Sequence, residues 1–269
     1  MTAIISFLGV SGSGKDTAGE VLAREMGGFC IAFADPMKRF CMSALGLTAD
    51  QLWGNSKEKP ILKTQLKVIE ENFQFVLDGT PLADKLGAAC NGVYVGHDRT
   101  ERSLREWWSG IASEKKLTPR RVLQTFGTEF GRKYLSTGFW VQCGLRAAGA
   151  VLSGEHTYSN HYGLTKNDGG SIAKNVMVFT DCRFRNEVLA LKKIGAKVYR
   201  IRRMAKVKRS DKLTIDVKHS SEAEQGGIPD FWLDGVLLNH DGEKEKFEKT
   251  VASLARHLMQ SPPPGHLSI

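Results

Sequence analysis

The sequence contains no apolar run of the roughly 18 residues that a membrane-spanning helix requires. Its first apolar stretch, residues 3–10, is short and is not preceded by basic residues, so it does not have the pattern of a secretory signal peptide. We therefore expect no membrane association and a cytoplasmic location.

Cysteines are few and dispersed, and none of the five forms a CxxC pair. This pattern excludes a compact disulfide framework and is typical of a reducing compartment. We expect no zinc site either. His156 and His161 lie near each other, but in a Ser/Gly/Asn-rich stretch without a cysteine that would complete a ligand set.

Acidic residues are outnumbered, 29 against 38 basic ones, which gives a formal charge of +9. A basic protein attracts polyanions, and these include nucleic acid, membrane surfaces and nucleotide phosphates. Charge alone does not choose between them. The sequence has no nucleic-acid-binding motif and no alternation of basic and aromatic residues, so we expect no stable nucleic-acid binding.

The order of apolar segments predicts an α/β fold. The apolar run at residues 3–8 is followed by the glycine-rich GVSGSGKDT, a helical pattern, and a second apolar run at residues 29–33. This order is that of a βαβ unit and implies a parallel sheet. Further strands are predicted at 176–180, 197–201 and 236–238. We predict a single domain over residues 1–269, with a doubly wound, mainly parallel sheet flanked by helices.

Two regions depart from this regular pattern. Residues 46–117 read as an inserted region on the substrate side, with a helix at 58–77 followed by a turn-rich stretch at 78–100. Residues 153–174 are polar and glycine-rich and are predicted to form a loop. Between them, Thr118 and Pro119 are the N-cap and first residue of a predicted helix, and another helix is predicted at 139–152.

Gly9, Gly14 and Lys15 have the Walker A spacing, and they lie between a predicted strand and a predicted helix. In this motif, backbone N–H groups and the helix N-terminus face the phosphates, and the lysine reaches the β- and γ-phosphates. Asp16 follows the lysine and Thr17 comes next, and this GK-x-T pattern resembles that of nucleoside monophosphate kinases. Three interpretations of Asp16 stay open: it holds Mg²⁺ through water, it contacts the acceptor, or it is a first-turn acid that the helix dipole favours.

Two further patterns point to anion binding. Arg120, Gln124 and Thr128 share one helix face, which suits a phosphate and a base edge; the alternative is an ordinary solvated face. Asp181 ends a buried strand and is followed by Arg183, at the edge where parallel sheets bind ligands. This arrangement suits substrate clamping, while the alternative is an ion pair between Arg183 and Glu187.

In sequence order, the pieces GVSGSGKDT, ADPMK, RRVLQTFGTE, FW at residues 139–140, DCRFRNE, HSSEAE and LLNHDG resemble the phage-type deoxynucleoside monophosphate kinases. The resemblance implies the P-loop kinase fold and the use of ATP and Mg²⁺. The implied reaction is phosphorylation of deoxynucleoside 5′-monophosphates to diphosphates, which supplies precursors for DNA synthesis. Regions 46–117 and 153–174 match nothing in this family. The resemblance hints at a homodimer, and for a phage-encoded chain the location is the host cytoplasm.

The resemblance also implies site residues. The ATP set is Ser11, Gly12, Ser13, Gly14, Lys15, Asp16, Thr17, Arg203 and Asn239, with Asp241 near the adenine. The deoxynucleotide set is Met37, Lys38, Arg120, Arg121, Gln124, Gly127, Thr128, Trp140, Asp181, Arg183 and Glu187. The catalytic residues that the resemblance implies are Lys15, Arg120, Asp181 and Arg183. Trp140 is expected to contact the base or sugar, with core packing as the alternative.

Two segments have less defined expectations. His219, Ser220 and Glu222 are implied to lie near the active site, although a surface loop is the alternative for His219. The basic segment at residues 200–215 is predicted to act as a lid that closes on ATP. It contains Arg200, Arg202, Arg203, Lys206, Lys208 and Arg209.

Two other functions stay open from the sequence. The first is another small-molecule P-loop kinase, such as one that resembles dephospho-coenzyme A kinase, because it shares the fold and the GK-x-T pattern. The second is a P-loop ATPase that binds nucleic acid, which the positive charge favours. The absence of an acidic pair after the VMVFT strand argues against this second function.

Overall fold

The computed structural model describes residues 3–75, 80–93, 95–167, 176–204 and 224–260. The chain divides into two compact units. Unit 1 comprises Met1–Ala32, Ala148–His156 and Lys166–Ile269, and unit 2 comprises Phe33–Ala147 and Thr157–Thr165. The predicted inserted region, residues 46–117, lies wholly within unit 2, which extends beyond it on both sides.

The strands of the described residues are, in chain order, β1 (Ala3–Leu8), β2 (Phe29–Ile31), β3 (His156–Ser159), β4 (Gly163–Lys166), β5 (Val176–Cys182), β6 (Lys197–Met204) and β7 (Gly235–His240). The helices are α1 (Lys15–Met26), α2 (Asp35–Leu45), α3 (Ala49–Leu52), α4 (Lys63–Phe75), α5 (Leu82–Ala89), α6 (His97–Ile111), α7 (Pro119–Thr125), α8 (Phe139–Leu152), α9 (Arg185–Lys193) and α10 (Lys244–Gln260). None of these helices is long and apolar enough to span a membrane.

Unit 1 is built on a five-stranded sheet with the strand order β2-β5-β1-β6-β7. Neighbouring strands are parallel, which confirms the predicted mainly parallel α/β sheet. Every residue of β1 is buried, as expected for a central strand covered on both faces. Apolar side chains of α1 and α10, such as Leu22 and Val251, pack in one core with Phe7 of β1.

Unit 2 is mainly helical and is packed around aromatic side chains. The ring of Phe126 stacks on those of Phe40 and Phe130, each with a centroid distance of 4.9 Å. Trp107 of α6 packs beside Phe126 and donates its indole N–H to Thr125 Oγ1 at 3.1 Å. These contacts join α2, α6 and α7 into one core.

The local structure differs from the sequence prediction in three places. The turn-rich stretch at 78–100 contains α5, whose Leu82 and Leu86 are fully buried one helical turn apart. The predicted loop at 153–174 contains the two-stranded β3–β4 sheet. The helix that begins at Pro119 continues as a π-helical segment, Phe126–Leu135, a rare geometry that is frequent at functional sites.

Candidate nucleotide site

The glycine loop, residues 9–14, connects β1 to α1 and contains two residues with left-handed backbone. Gly12 has φ 74° and Gly14 has φ 103°, values that side chains disfavour. A Cβ on Gly14 would also lie 2.5 Å from Asn239 Nδ2. Glycine is therefore required at position 14 for its backbone angle and for this close approach.

Lys15, the first residue of α1, holds its ammonium inside the glycine loop. The side chain is 6% exposed, and Nζ donates to the carbonyls of Gly9 at 2.6 Å and Val10 at 2.7 Å. Both acceptors belong to the loop itself. A cation is therefore fixed beside the backbone carbonyls of the glycine loop.

The pKa of Lys15 is lowered to about 8, mainly by burial and also by the neighbouring positive charge of Arg183, and the carboxylates of Asp16 and Asp181 oppose this change. These four predicted residues are thus close enough to interact electrostatically. The register explains the proximity, because Leu8 at the end of β1 lies beside Cys182 at the end of β5. The carboxyl ends of parallel strands are where α/β sheets bind ligands.

Ser13 presents a buried hydroxyl to the glycine loop. The residue is fully buried, and its Oγ has no hydrogen-bond partner among the described residues. A buried hydroxyl without a partner costs free energy. A phosphate oxygen inside the loop would accept this hydrogen bond, so the orphaned group fits a bound anion.

The ends of β6 and β7 also reach the glycine loop. Arg203 donates from Nη1 to the Gly12 carbonyl at 2.7 Å and from Nε to Asp241 at 2.5 Å. Asn239 donates from Nδ2 to the Ser13 carbonyl at 2.9 Å. The predicted ATP residues of β6 and β7 are therefore gathered at the loop, where they bind its backbone. Of the other predicted ATP residues, Ser11 is exposed and Thr17 is partly buried in the first turn of α1.

Glu187 shapes the turn after β5. Its Oε2 accepts hydrogen bonds from the backbone N–H groups of Arg183 at 2.6 Å and Phe184 at 2.9 Å. The carboxylate therefore fixes the backbone that carries the Arg183 side chain. Sequence spacing pointed to contact with the acceptor or to an i,i+4 ion pair, and it gave no indication of these two backbone contacts.

Two described acidic side chains at this site are suited to Mg²⁺. Among the described residues, no group of three or more His, Cys, Asp or Glu side chains is placed to hold a metal ion. Mg²⁺ commonly uses one or two carboxylates together with phosphate oxygens and water. Asp16 and Asp181, which both act on Lys15, fit that mode, with nucleotide phosphates supplying the other ligands.

In unit 2, the predicted acceptor residues of α2 and α7 are engaged in local contacts. Lys38 Nζ lies 3.8 Å from Asp35 Oδ1. Arg120 pairs with Glu58, and Arg121 Nη2 lies 2.9 Å from Glu114 Oε1. The side chains of Arg120 and Arg121 are 41% and 45% exposed, so both cations remain open to solvent.

The remaining predicted residues of unit 2 lie in the π-helical segment or contact it. Thr128 donates its hydroxyl to the Gln124 carbonyl at 2.6 Å. A Cβ on Gly127 would lie 2.8 Å from Met37 Sδ. Trp140 is 5% exposed, packs against Phe126 in the core, and donates its indole N–H to the Gly127 carbonyl at 3.0 Å. This position favours the core-packing interpretation of Trp140.

Part of the predicted lid can be placed. Arg200, Arg202 and Arg203 belong to β6, and the first two form ion pairs with Asp230. The described part of this basic segment is thus strand, because it pairs with β7 through Met204. The rest of the segment lies outside the described residues, as do His219, Ser220 and Glu222.

Unit 2 contains a buried polar cluster that no sequence pattern indicated, which we call the Asp35 cluster (Asp35, Arg39, Trp53 and Tyr158). The fully buried Asp35 accepts from Trp53 Nε1 at 3.1 Å and from the Tyr158 hydroxyl at 2.9 Å. Arg39 Nη1 donates to the Tyr158 oxygen at 3.1 Å. Tyr158 lies 123 residues away from Asp35, so no local sequence pattern indicates their contact.

Comparison with known proteins points to a nucleotide kinase. The chain is 25% identical over 254 residues to an Acanthamoeba polyphaga mimivirus protein named "Putative deoxynucleotide monophosphate kinase". The similarity covers 93% of this chain and 94% of the relative. No family model matches the chain.

Proposed function

We propose that this protein transfers the γ-phosphoryl group of ATP to deoxynucleoside 5′-monophosphates and releases ADP and a deoxynucleoside diphosphate. The observation that carries the proposal is the buried Lys15 ammonium, held 2.6 and 2.7 Å from two carbonyls of the glycine loop. A desolvated cation in a loop of backbone amides binds phosphate, and a triphosphate would take the place of those carbonyls. The name and nearly full-length coverage of the mimivirus relative support a monophosphate acceptor.

ATP is assigned to unit 1. The loop amides and Lys15 receive the β- and γ-phosphates, and the Ser13 hydroxyl gains an acceptor. Arg203 and Asn239 bind the loop backbone and hold it in shape. Mg²⁺, bound by phosphate oxygens and by Asp16 or Asp181, would offset the charge on the transferring group.

In unit 2, Lys38 and Arg120 are the cations we assign to the acceptor monophosphate, with Gln124 as a contact for the base. In unit 1, Arg183 is assigned as a further phosphate-binding cation. An acceptor phosphate oxygen attacks the γ-phosphorus, the new P–O bond forms, and the bond to the β-phosphate bridging oxygen breaks so that ADP leaves. The protein need not form a covalent intermediate, because phosphoryl transfer is catalysed mainly by positioning and by charge stabilisation. Lys15 and Arg183 supply positive charge where negative charge develops, and Glu187 holds the Arg183 backbone.

The test is an assay with ATP and Mg²⁺ in which each of the common deoxy- and ribonucleoside monophosphates, dephospho-coenzyme A and DNA are offered one at a time and both products are quantified. We expect stoichiometric ADP and deoxynucleoside diphosphate, and a loss of turnover of about a hundredfold or more with Lys15→Met. Phosphorylation of dephospho-coenzyme A alone would replace the proposal with another small-molecule kinase. ATP hydrolysis that is stimulated by DNA and needs no monophosphate would replace it with a nucleic-acid-dependent ATPase.

A further inference from the structure

Asp35 sits at the start of α2 with its carboxylate already occupied by neutral donors. One oxygen receives the Trp53 indole N–H and the other receives the Tyr158 hydroxyl. The ammonium of Lys38, one turn along α2, lies 3.8 Å from the same carboxylate, beyond hydrogen-bond distance. Lys38 is thus attracted by Asp35 through charge without a short hydrogen bond to it.

The ring of Trp53 is the second partner of that ammonium. Lys38 Nζ lies 5.2 Å from the centroid of the Trp53 ring, within the range of a cation–π contact, and the lysine side chain is only 15% exposed. An aromatic face attracts a cation without occupying its N–H donors. The ammonium is therefore held in place, and within the described part of the chain no hydrogen bond occupies its N–H donors, which can bind an anion.

Trp53 itself is fixed from two sides. Its N–H is tied to the buried carboxylate of Asp35, and its ring packs against that of His161 with a centroid distance of 4.4 Å. His161 lies between β3 and β4, and Tyr158 of β3 holds the other Asp35 oxygen. The β3–β4 sheet thus holds both the ring and the carboxylate that face Lys38.

We propose that Trp53 and Asp35 are positioning residues that hold the Lys38 ammonium ready for the phosphate of the acceptor nucleotide. The inference rests on the proposed function. It assigns a role to Trp53 and Asp35, for which the sequence patterns predicted none. A dianionic phosphate attracts the ammonium more strongly than the distant carboxylate or the ring, so Lys38 exchanges onto it without breaking a hydrogen bond to Asp35.

The test is a double-mutant cycle on the full chain, with the KM for the acceptor measured at saturating ATP. Trp53→Leu is expected to raise the acceptor KM about three- to thirtyfold, the range of a partly desolvated cation–π contact, and to leave the KM for ATP unchanged. Trp53→Phe, which keeps a ring beneath the ammonium, should recover most of this loss. In a Lys38→Met background, Trp53→Leu should change the acceptor KM no further, because its effect passes through Lys38.

Trp232→Leu is the matched control, since it removes a ring that lies 4.6 Å from the Arg185 guanidinium in unit 1 and should leave the acceptor KM unchanged. If Trp53→Leu fails to fold, Trp53→His serves in the same cycle. Independent, multiplicative effects of the Trp53 and Lys38 substitutions would overturn the inference while leaving the proposed function intact. A wild-type protein that phosphorylates no monophosphate would overturn the proposed function itself.

Discussion

The Lys15→Met variant distinguishes two effects of Lys15: its unfavourable contribution to the free energy of folding and its favourable contribution to phosphate binding. Its pKa is lowered from 10.5 to about 8, mainly by burial. At about 1.4 kcal/mol per pKa unit, this difference means that the folded protein bears about 3 kcal/mol for keeping Lys15 charged at pH 7. The carbonyls of Gly9 and Val10 offset part of that cost. We therefore expect Lys15→Met to be as stable as the wild type or up to about 3 kcal/mol more stable.

The pH dependence of this stability difference follows from the direction of the pKa change. Because folding lowers the pKa of Lys15, the charged side chain destabilises the folded protein. This destabilisation is fully present below pH 8 and disappears as the pH rises from 8 to 10.5. The advantage of the variant over the wild type should shrink over the same interval. Other titrating groups are common to both proteins, so they cancel in the difference.

The Lys15→Met variant should lose activity, although its stability is expected to be equal to or higher than that of the wild type. Loss of a cation that stabilises the transferring phosphates costs roughly 3–5 kcal/mol, which is about a hundred- to several-thousandfold in turnover. Urea unfolding at pH 7 and pH 10, together with a coupled ADP assay, measures both effects. A variant more than about 1 kcal/mol less stable than the wild type at pH 7 would refute the assigned burial cost. Near-normal turnover would show that the glycine loop is not the phosphate site.

Three further outcomes are expected. Arg183→Lys should lower turnover and raise the acceptor KM in steady-state assays, because lysine cannot make the paired planar contact of a guanidinium; a change confined to the KM for ATP would place Arg183 elsewhere. Catalytic efficiency should favour dGMP over GMP by about ten- to a hundredfold, since a buried 2′-hydroxyl without a partner is costly, and equal efficiencies would indicate a general nucleoside monophosphate kinase. Gly131→Ala should lower the free energy of unfolding in urea by about 1–3 kcal/mol, because its Cβ would lie 2.3 Å from Trp140 Nε1; Gly138→Ala, with no atom within 4 Å, is the control, and equal stabilities of the two variants would contradict this packing.

The elements that sequence predicted well are those specified by local patterns. The α8 helix was predicted at residues 139–152 and occupies Phe139–Leu152. Thr118 caps α7 as expected, since its hydroxyl accepts from the Arg121 N–H at 3.2 Å. Strands β1 and β5 were found because continuous apolar runs mark strands that are covered on both faces. In each case the signal lies within a few neighbouring residues.

The features that sequence did not predict depend on distant partners or on unusual geometry. The Asp35 cluster joins residues up to 123 positions apart, which no local pattern reveals. The π-helical segment arose where a regular helix was expected, and its Gly131 leaves room for the Trp140 ring, which lies within 3 Å of where a Cβ would be. Trp140 likewise looked equally suited to ligand and to core, since its neighbours Phe126 and Gly127 are brought to it only by tertiary packing.

The strand order of unit 1 has a consequence for the growing chain. The central strand β1 is made first, yet its two neighbours, β5 and β6, are encoded roughly 170 residues or more downstream. At synthesis rates of about 5–20 residues per second, β1 waits about 10–30 s for its partners. By then the ribosome has already synthesised most of unit 2, up to Ala147. The glycine loop is therefore synthesised long before β5 and β6, and its surroundings are complete only after both strands have been added.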